Sequence, residues 1–477
     1  MNQLQFYALL PFSLLALASI IVILLIAFKR SHTVIQVTGF MMMCLVIFAM
    51  WYVRDMLPMR IDPLFIVDGY AALFTGLIVF AVLIIGLLSF IYFEEREENP
   101  KEYYILLFLS TLGAAILTIS QHFISFFIGL EILSVSLYAL IAYLRTRNNA
   151  IEAGMKYLVL AAMTSAFLLF GMALIYMETG SMTFSALARN LTATSSGLFI
   201  TGVGMMAVAI GFKLALVPFH LWAADVYQGA PVPVTAFIAT VSKIGVFSVL
   251  LRFGEAVSLQ TNSVVLTLFI VIAVFTMLMG NILALLQQNI KRLLAYSSIA
   301  HLGYLLVAFL PGNAAGVEAS IFYLLAYSIT LLAAFGIITL LSSRQRDAED
   351  LEWYRGLFWR SPIMASILTI AFLSLAGIPL TAGFIGKFYV LIAGVEQSLW
   401  LPVIVLILTS VVGLYYYLRV ISLLFAETTP ALVNDRSLHP FFYTGTYTAL
   451  IILTVLLIGI GVYPSFVIEN IKAFLSI

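Results

Sequence analysis

A bundle of membrane-spanning helices is the fold class this sequence predicts, and three observations predict it. Of 477 residues, 63% are hydrophobic and 9% charged, where soluble domains carry about 25% charged. Apolar runs of about 20 residues, enough to cross a bilayer, recur from one end of the chain to the other. No polar stretch between them is long enough for a soluble domain. The expectation is an all-α polytopic membrane protein, a single membrane domain over residues 1–477.

Fourteen spans follow in order. The first, 5–28, lacks a basic start and a convincing cleavage site, and Lys29 and Arg30 follow it, so it reads as an uncleaved span and not a signal peptide. Spans 34–53 and 69–93 complete an N-terminal group of three. Spans 103–120, 123–143, 151–177, 197–222 and 232–252 come next, then 262–286, 293–310, 317–341, 361–392 and 400–425, and last 441–467. Most connections are short. The longest polar one, Ser342 to Arg360, contains RQRDAEDLEWYRG and reads as a solvated loop.

Fourteen spans put both termini on one side, and loop charge says which. Loops after odd-numbered spans hold thirteen Lys and Arg (Lys29, Arg30, Arg96, Lys101, Arg145, Arg147, Lys291, Arg292, Arg344, Arg346, Arg355, Arg360, Arg436), against five elsewhere (Arg54, Arg60, Arg189, Arg252, Lys472). The positive-inside rule makes the first side cytoplasmic and leaves both termini outside. The remaining basic residues, Lys156, Lys213, Lys243, Lys387 and Arg419, all fall within spans, and of 22 carboxylates only Glu131 lies at the middle of one.

Composition excludes several functions. A formal charge of +1 gives nothing for nucleic acid to bind. One cysteine, Cys44, rules out an internal disulfide, and iron–sulfur clusters need about four thiolates. The histidines (His32, His122, His220, His301, His439) show no metal or haem spacing, and no GxGxxG or P-loop is present. Redox or nucleotide chemistry would belong to partner subunits.

The stretch GFKLALVPFHLWAADVYQGAPVPVTAFIATVSKIGVF, residues 211–247, carries most of the chemistry. Lys213 and Lys243 each sit centrally in an apolar arm. A charge at mid-membrane costs about 2.5–3.5 kcal/mol on insertion scales, so such residues are rare and usually functional. Pro218 should kink or break the first arm, and broken membrane helices are tolerated where they line an enclosed or wet cavity. The plainer alternative is that the lysines snorkel or that one arm is re-entrant. Span twelve repeats the pattern, with Lys387 in LAGIPLTAGFIGKF. Two lysine-bearing, interrupted spans five apart suggest two inverted five-helix repeats, 103–252 and 262–425, with broken helices in spans 7 and 12.

Glu131, in FFIGLEILSVSLYAL, needs a cation or must become neutral. A neighbouring lysine is its expected partner, as a fixed structural pair or as one whose strength changes during a cycle. Burial moves a lysine's proton affinity towards the physiological range, so Lys213, Lys243 and Lys387 suit proton handling. They suit sodium poorly, because an ammonium offers a metal no lone pair. Lys156, in AGMKYLVL near a span end, either snorkels or joins the path. His220, two turns after Lys213, and His301, among Ser297, Ser298 and Tyr304, are proton relays or satisfied structural histidines.

The run PFHLWAADVYQGAPVPVTAFIATVSKIGVF, followed by NIKRLLAYSSIAHLGY, resembles the antiporter-like membrane subunits of complex I, the respiratory NADH:quinone oxidoreductase. The pattern leading to Ser242 and Lys243 is most similar to the N type of bacterial subunit, which corresponds to mitochondrial subunit 2. The resemblance covers essentially the whole chain, and the long lateral helix of L-type relatives is absent. Ala224 stands where the family commonly has proline, which puts the local turn in doubt and leaves the lysines untouched. The resemblance implies fourteen spans, inverted repeats and a charged central axis, with Glu131, Lys213, Lys243 and Lys387 at the fifth-, seventh-, eighth- and twelfth-span positions. It also implies a bacterial inner membrane, other membrane subunits as partners, and NADH, flavin, iron–sulfur clusters and quinone held in those partners, none in this chain. A subunit of a multisubunit sodium/proton antiporter is the alternative, and a non-conducting scaffold a third possibility.

Overall fold

The computed structural model describes residues 3–94, 96, 100–190, 197–257, 262–343, 345–427 and 440–476. Arg344, Arg436 and His439 lie outside the described residues.

The helices are α1 (Gln3–Ala8), α2 (Leu10–Ala27), α3 (His32–Val53), α4 (Gly69–Glu94), α5 (Lys101–Ile119), α6 (Phe123–Ile141) and α7 (Asn148–Thr179). Then come α8 (Phe184–Asn190), α9 (Gly197–Leu214), α10 (Trp222–Gly229), α11 (Val232–Phe237), α12 (Lys243–Val257), α13 (Ser263–Leu285), α14 (Ile290–Phe309) and α15 (Ala314–Leu341). The last are α16 (Leu357–Arg360), α17 (Pro362–Ala376), α18 (Ala382–Glu396), α19 (Trp400–Leu424), α20 (Pro440–Val462) and α21 (Ser465–Leu475). Among the described residues, thirteen helical segments are long and apolar enough to cross a membrane, and α17 is a further, shorter apolar helix, followed after a break by α18. The chain is an α-helical membrane protein with the span order its sequence predicts.

Local chemistry starts and stops these helices. Asn262, Asn289 and Asn313 accept from the first backbone N–H groups of α13, α14 and α15, groups that otherwise lack intrahelical partners. Pro362 opens α17, where its missing N–H costs nothing. Gly180 and Gly377 end α7 and α17 at φ 64° and 81°, a conformation that strains other residues.

The core is the stretch Val232–Glu255, every residue of whose most apolar window is buried, flanked by α14 and α15. Their all-round hydrophobicity fits helices enclosed on every side. Helices α2, α3, α7, α13, α19 and α20 form the outer ring, with one apolar face turned outward.

Four features depart from the sequence reading. A hairpin of β1 (Met59–Ile61) and β2 (Phe65–Val67) follows α3, with Arg60 opposite Ile66, and α21 extends beyond the last span. Lys291 is fully buried and Asp347 nearly so, so neither the α14 end nor the Ser342–Arg360 connection is simply a solvated loop. The eighth span is also interrupted: Ile238–Ser242 between α11 and α12 is a π-helical turn.

Candidate functional site

The site begins where α9 stops. Ala215 takes φ 58°, and the chain turns through residues 215–221 before α10. Ending a helix there strands its last carbonyls. They are taken up locally: Trp222 Nε1 donates to Phe212 O at 2.9 Å and Lys243 Nζ to Lys213 O at 2.8 Å. The break that Pro218 predicts is therefore stabilised by the second lysine.

Lys213 lies in the last turn of α9, at the break itself, and is 2% exposed. Its Nζ donates to Ser134 Oγ of α6 at 2.6 Å, with Tyr157 OH of α7 at 3.5 Å. Ser134 Oγ in turn donates to Leu130 O, so its one proton is committed and it serves Lys213 as an acceptor. Glu131, one turn before Ser134, accepts from Ser165 Oγ of α7 at 2.5 Å. Among the described residues it forms no ion pair, and its charge acts on Lys213 only through space. Glu131 and Lys213 are thus each bonded to a serine and not to each other, unlike the direct pair expected from the sequence.

Lys243 follows directly on the π turn and is 1% exposed. Such turns recur at functional sites because they re-aim side chains within a helix. Lys387, in the second turn of α18, donates to Leu375 O at 2.9 Å and Ala376 O at 3.0 Å, the last carbonyls of α17. Gly377 makes that reach possible: a Cβ there would stand 2.9 Å from Lys387 Cδ. Lys213 precedes its break and Lys387 follows its own, so the two lysines hold different places in otherwise similar interrupted spans.

None of the three lysines has a carboxylate within ion-pairing distance among the described residues. Aromatic faces stand in for counter-ions. Lys213 Nζ lies 5.1 Å from the Tyr157 ring centre, Lys243 Nζ 5.2 Å from Trp222 and Lys387 Nζ 5.3 Å from Tyr304. The ring quadrupole attracts a cation without fixing its charge as a carboxylate would.

His301, at the centre of α14, is bonded on both ring nitrogens: Nδ1 to Tyr323 OH at 2.6 Å and Nε2 to Tyr417 OH at 3.1 Å. Tyr417 OH also bonds Ser297 Oγ. Tyr304 instead accepts from Asn281 at 2.9 Å. His220, in the α9–α10 turn, is buried, and among the described residues neither ring nitrogen has a side-chain partner. Lys156 lies apart from the buried lysines. It is 44% exposed and pairs with Glu152 and with Asp225, both at 2.7 Å.

Sequence reasoning missed Ser134, Tyr157, Ser165, Trp222, Tyr323 and Tyr417. Hydroxyls and aromatics are common in membrane helices, and only the fold shows which of them meet a lysine or a histidine.

An interrupted-helix bundle with lysines buried at its breaks defines an antiporter-like membrane subunit. A family model described as "NADH:quinone oxidoreductase/Mrp antiporter, TM" matches residues 120–413. NADH-quinone oxidoreductase subunit N of Ectopseudomonas mendocina is 44% identical over 475 residues, 97% of this chain and 95% of its own. A chain of respiratory complex I from Thermus thermophilus superposes with a TM-score of 0.83 at 30% identity, covering 96% of this chain and 98% of that one. A chain of an archaeal membrane-bound sulfane sulfur reductase gives 0.86 at 27% identity, over 98% of this chain and 96% of that one. A chain of the Mrp complex from Dietzia sp. gives 0.84 at 21%, a likeness of fold, over 98% and 96%. The chain belongs to this family, in its NADH-quinone oxidoreductase subunit N branch.

Proposed function

We propose that this chain is a proton-translocating membrane-arm subunit of a complex I-type NADH:quinone oxidoreductase. The observation that carries the reading is the set of buried lysines without counter-carboxylates, each seated on hydroxyls, carbonyls and aromatic faces at a helix break. A group so placed can gain and lose a proton without breaking a fixed ion pair. Glu131, near Lys213 but not bonded to it, is placed to bias that exchange. Protons would pass by Lys213 and Lys243 and on towards Lys387, with His301 as a relay between its two tyrosines and His220 as a further candidate at the break. Lys156 is better placed to hold α10 than to carry protons.

On this reading NADH, flavin, iron–sulfur clusters and quinone belong to partner subunits, and the one cysteine, exposed Cys44, could not ligate a cluster. The chain would sit in a bacterial inner membrane with both termini outside. A role in a sodium/proton antiporter is less well supported, because none of the buried lysines can ligand sodium.

The test is proton uptake in proteoliposomes containing the whole complex, with Lys213→Met, Lys387→Met and the double variant. Methionine keeps length and apolar packing. Each single variant should pump less, and the double should be little worse than the worse single, as expected of residues acting in series. Undiminished pumping in both singles would refute the reading and leave the scaffold. Co-purification of flavin- and iron–sulfur-bearing subunits separates the redox complex from an antiporter.

A further inference from the structure

On the face where α4 ends and α14 begins, one carboxylate gathers three cations. Asp347, in the connection after α15, is 6% exposed. It accepts from Lys291 Nζ at 3.1 Å, Arg147 Nη1 at 3.1 Å, Arg96 Nη2 at 3.2 Å and Tyr92 OH at 2.7 Å. These donors come from the end of α4, the approach to α7 and the first turn of α14. Lys291 sends its other two protons to Gln228 O at 2.8 Å and Ala230 O at 2.7 Å, at the far end of α10. Arg292 donates to Asp225 on the same short helix at 2.7 Å, and the second oxygen of Asp225 takes Lys156 at 2.7 Å.

The near end of α10 carries Trp222. Its indole N–H holds the Phe212 carbonyl, and its ring lies 5.2 Å from Lys243 Nζ and 4.9 Å from the ring of Tyr157. The eight residues between these ends make a rod of about 12 Å. One end is gripped by the ionic cluster and the other touches both lysines' surroundings.

We infer that Lys291, held in place by Asp347, is a positioning residue for the Lys213–Lys243 pair, acting through α10. All three ammonium protons of Lys291 are committed, so its geometry is over-determined. Neutralising Asp347 leaves three cations repelling one another without their common counter-charge, which loosens Lys291 on the two α10 carbonyls. Replacing Lys291 by methionine removes all three bonds at once. Either change lets α10 shift and carries Trp222 off Lys243. The inference rests on the proton-path reading above.

The experiment uses the whole complex with Asp347→Asn, Asp347→Glu and Lys291→Met. Amide exchange over Trp222–Ala230 is measured alongside protons taken up per quinone reduced. In Asp347→Asn and Lys291→Met, exchange in that segment should quicken about tenfold and pumping should fall about fivefold. Asp347→Glu, which keeps the charge, should restore both. Loss of pumping with exchange unchanged, or faster exchange with normal pumping, overturns the inference. Trp222→Phe, at the other end of the rod, keeps a ring but removes the bond to Phe212 O. It should lower pumping while exchange near Asp347 stays normal, and it decides the matter if the cluster variants fail to assemble. Normal pumping in Lys213→Met would instead sink the underlying proton path. Impaired Lys213→Met beside normal pumping in Trp222→Phe would sink only the lever.

Discussion

Gly377→Ala is the substitution that most sharply separates backbone strain from function. Gly377 ends α17 at φ 81°, and its N–H and that of Ile378 both bond Leu373 O at 3.0 Å. Alanine in that conformation costs roughly 1–2 kcal/mol. A second effect is local to the site. The new methyl carbon would stand 2.9 Å from Lys387 Cδ and 3.2 Å from its Nζ. The lysine must swing away from Leu375 O or Ala376 O, and a hydrogen bond to a charged group is worth about 1.5–3 kcal/mol. That loss changes the balance between the two protonation states of Lys387 by about 10- to 100-fold. Gly180→Ala supplies the control, because Gly180 also ends a helix with positive φ, at 64°, and among the described residues nothing lies within 4 Å of its added methyl. Gly377→Ala should lose the more thermal stability of the two, since it also weakens the lysine's bond, and it alone should lose proton uptake in proteoliposomes. Equal pumping in the two would refute the claim that the seat of Lys387 matters.

Three further outcomes are expected. Glu131→Gln keeps the Ser165 contact and removes the charge, so the complex should assemble normally and pump poorly; wild-type pumping would reduce Glu131 to a packing residue. In a Cys44→Ser background, cysteines at exposed Arg145 and Arg346 should react only with cytoplasmic reagents, and labelling from outside intact cells would reverse the proposed orientation. Burial alone would raise the Asp347 carboxyl, but Lys291, Arg147, Arg96 and the Tyr92 hydroxyl outweigh it and hold it at about 2, below its ordinary value of about 3.9. A depressed carboxyl contributes stability above the ordinary value and loses it as pH falls towards about 2, on the order of 2 kcal/mol here. Protection of the α10 amides, which is their exchange corrected for its intrinsic base-catalysed rise, should therefore be flat from about pH 5 to 9, and a step within that range would show that Asp347 does not hold the cluster.

The sequence was most informative where physics penalises alternatives. Twenty apolar residues in a row have few uses other than crossing a bilayer, so the span order was readable throughout. A lysine inside such a run stands out for the same reason, and Lys213, Lys243 and Lys387 are all buried at helix interruptions. Pro218 announced the break after α9. The π turn before Lys243 had no such signal, since IATVS reads as ordinary helix. Lys291 and Asp347 read as loop charges because sequence position near a span end cannot distinguish a solvated charge from one sealed under a neighbouring connection. Glu131 illustrates the remaining gap. Its need for a partner was legible, whereas Ser165 as that partner depends on how α6 meets α7.

The oxygen that receives Lys243 belongs to the main chain of Lys213, and this affects how the site can change over time. A side-chain partner can be lost in one codon. A carbonyl stays whatever residue is placed at 213, and it points inward only because α9 stops there. The seat of Lys243 is therefore inherited with the bend. Drift at position 213 would alter one member of the pair and spare the other, whereas straightening the helix would unseat both together.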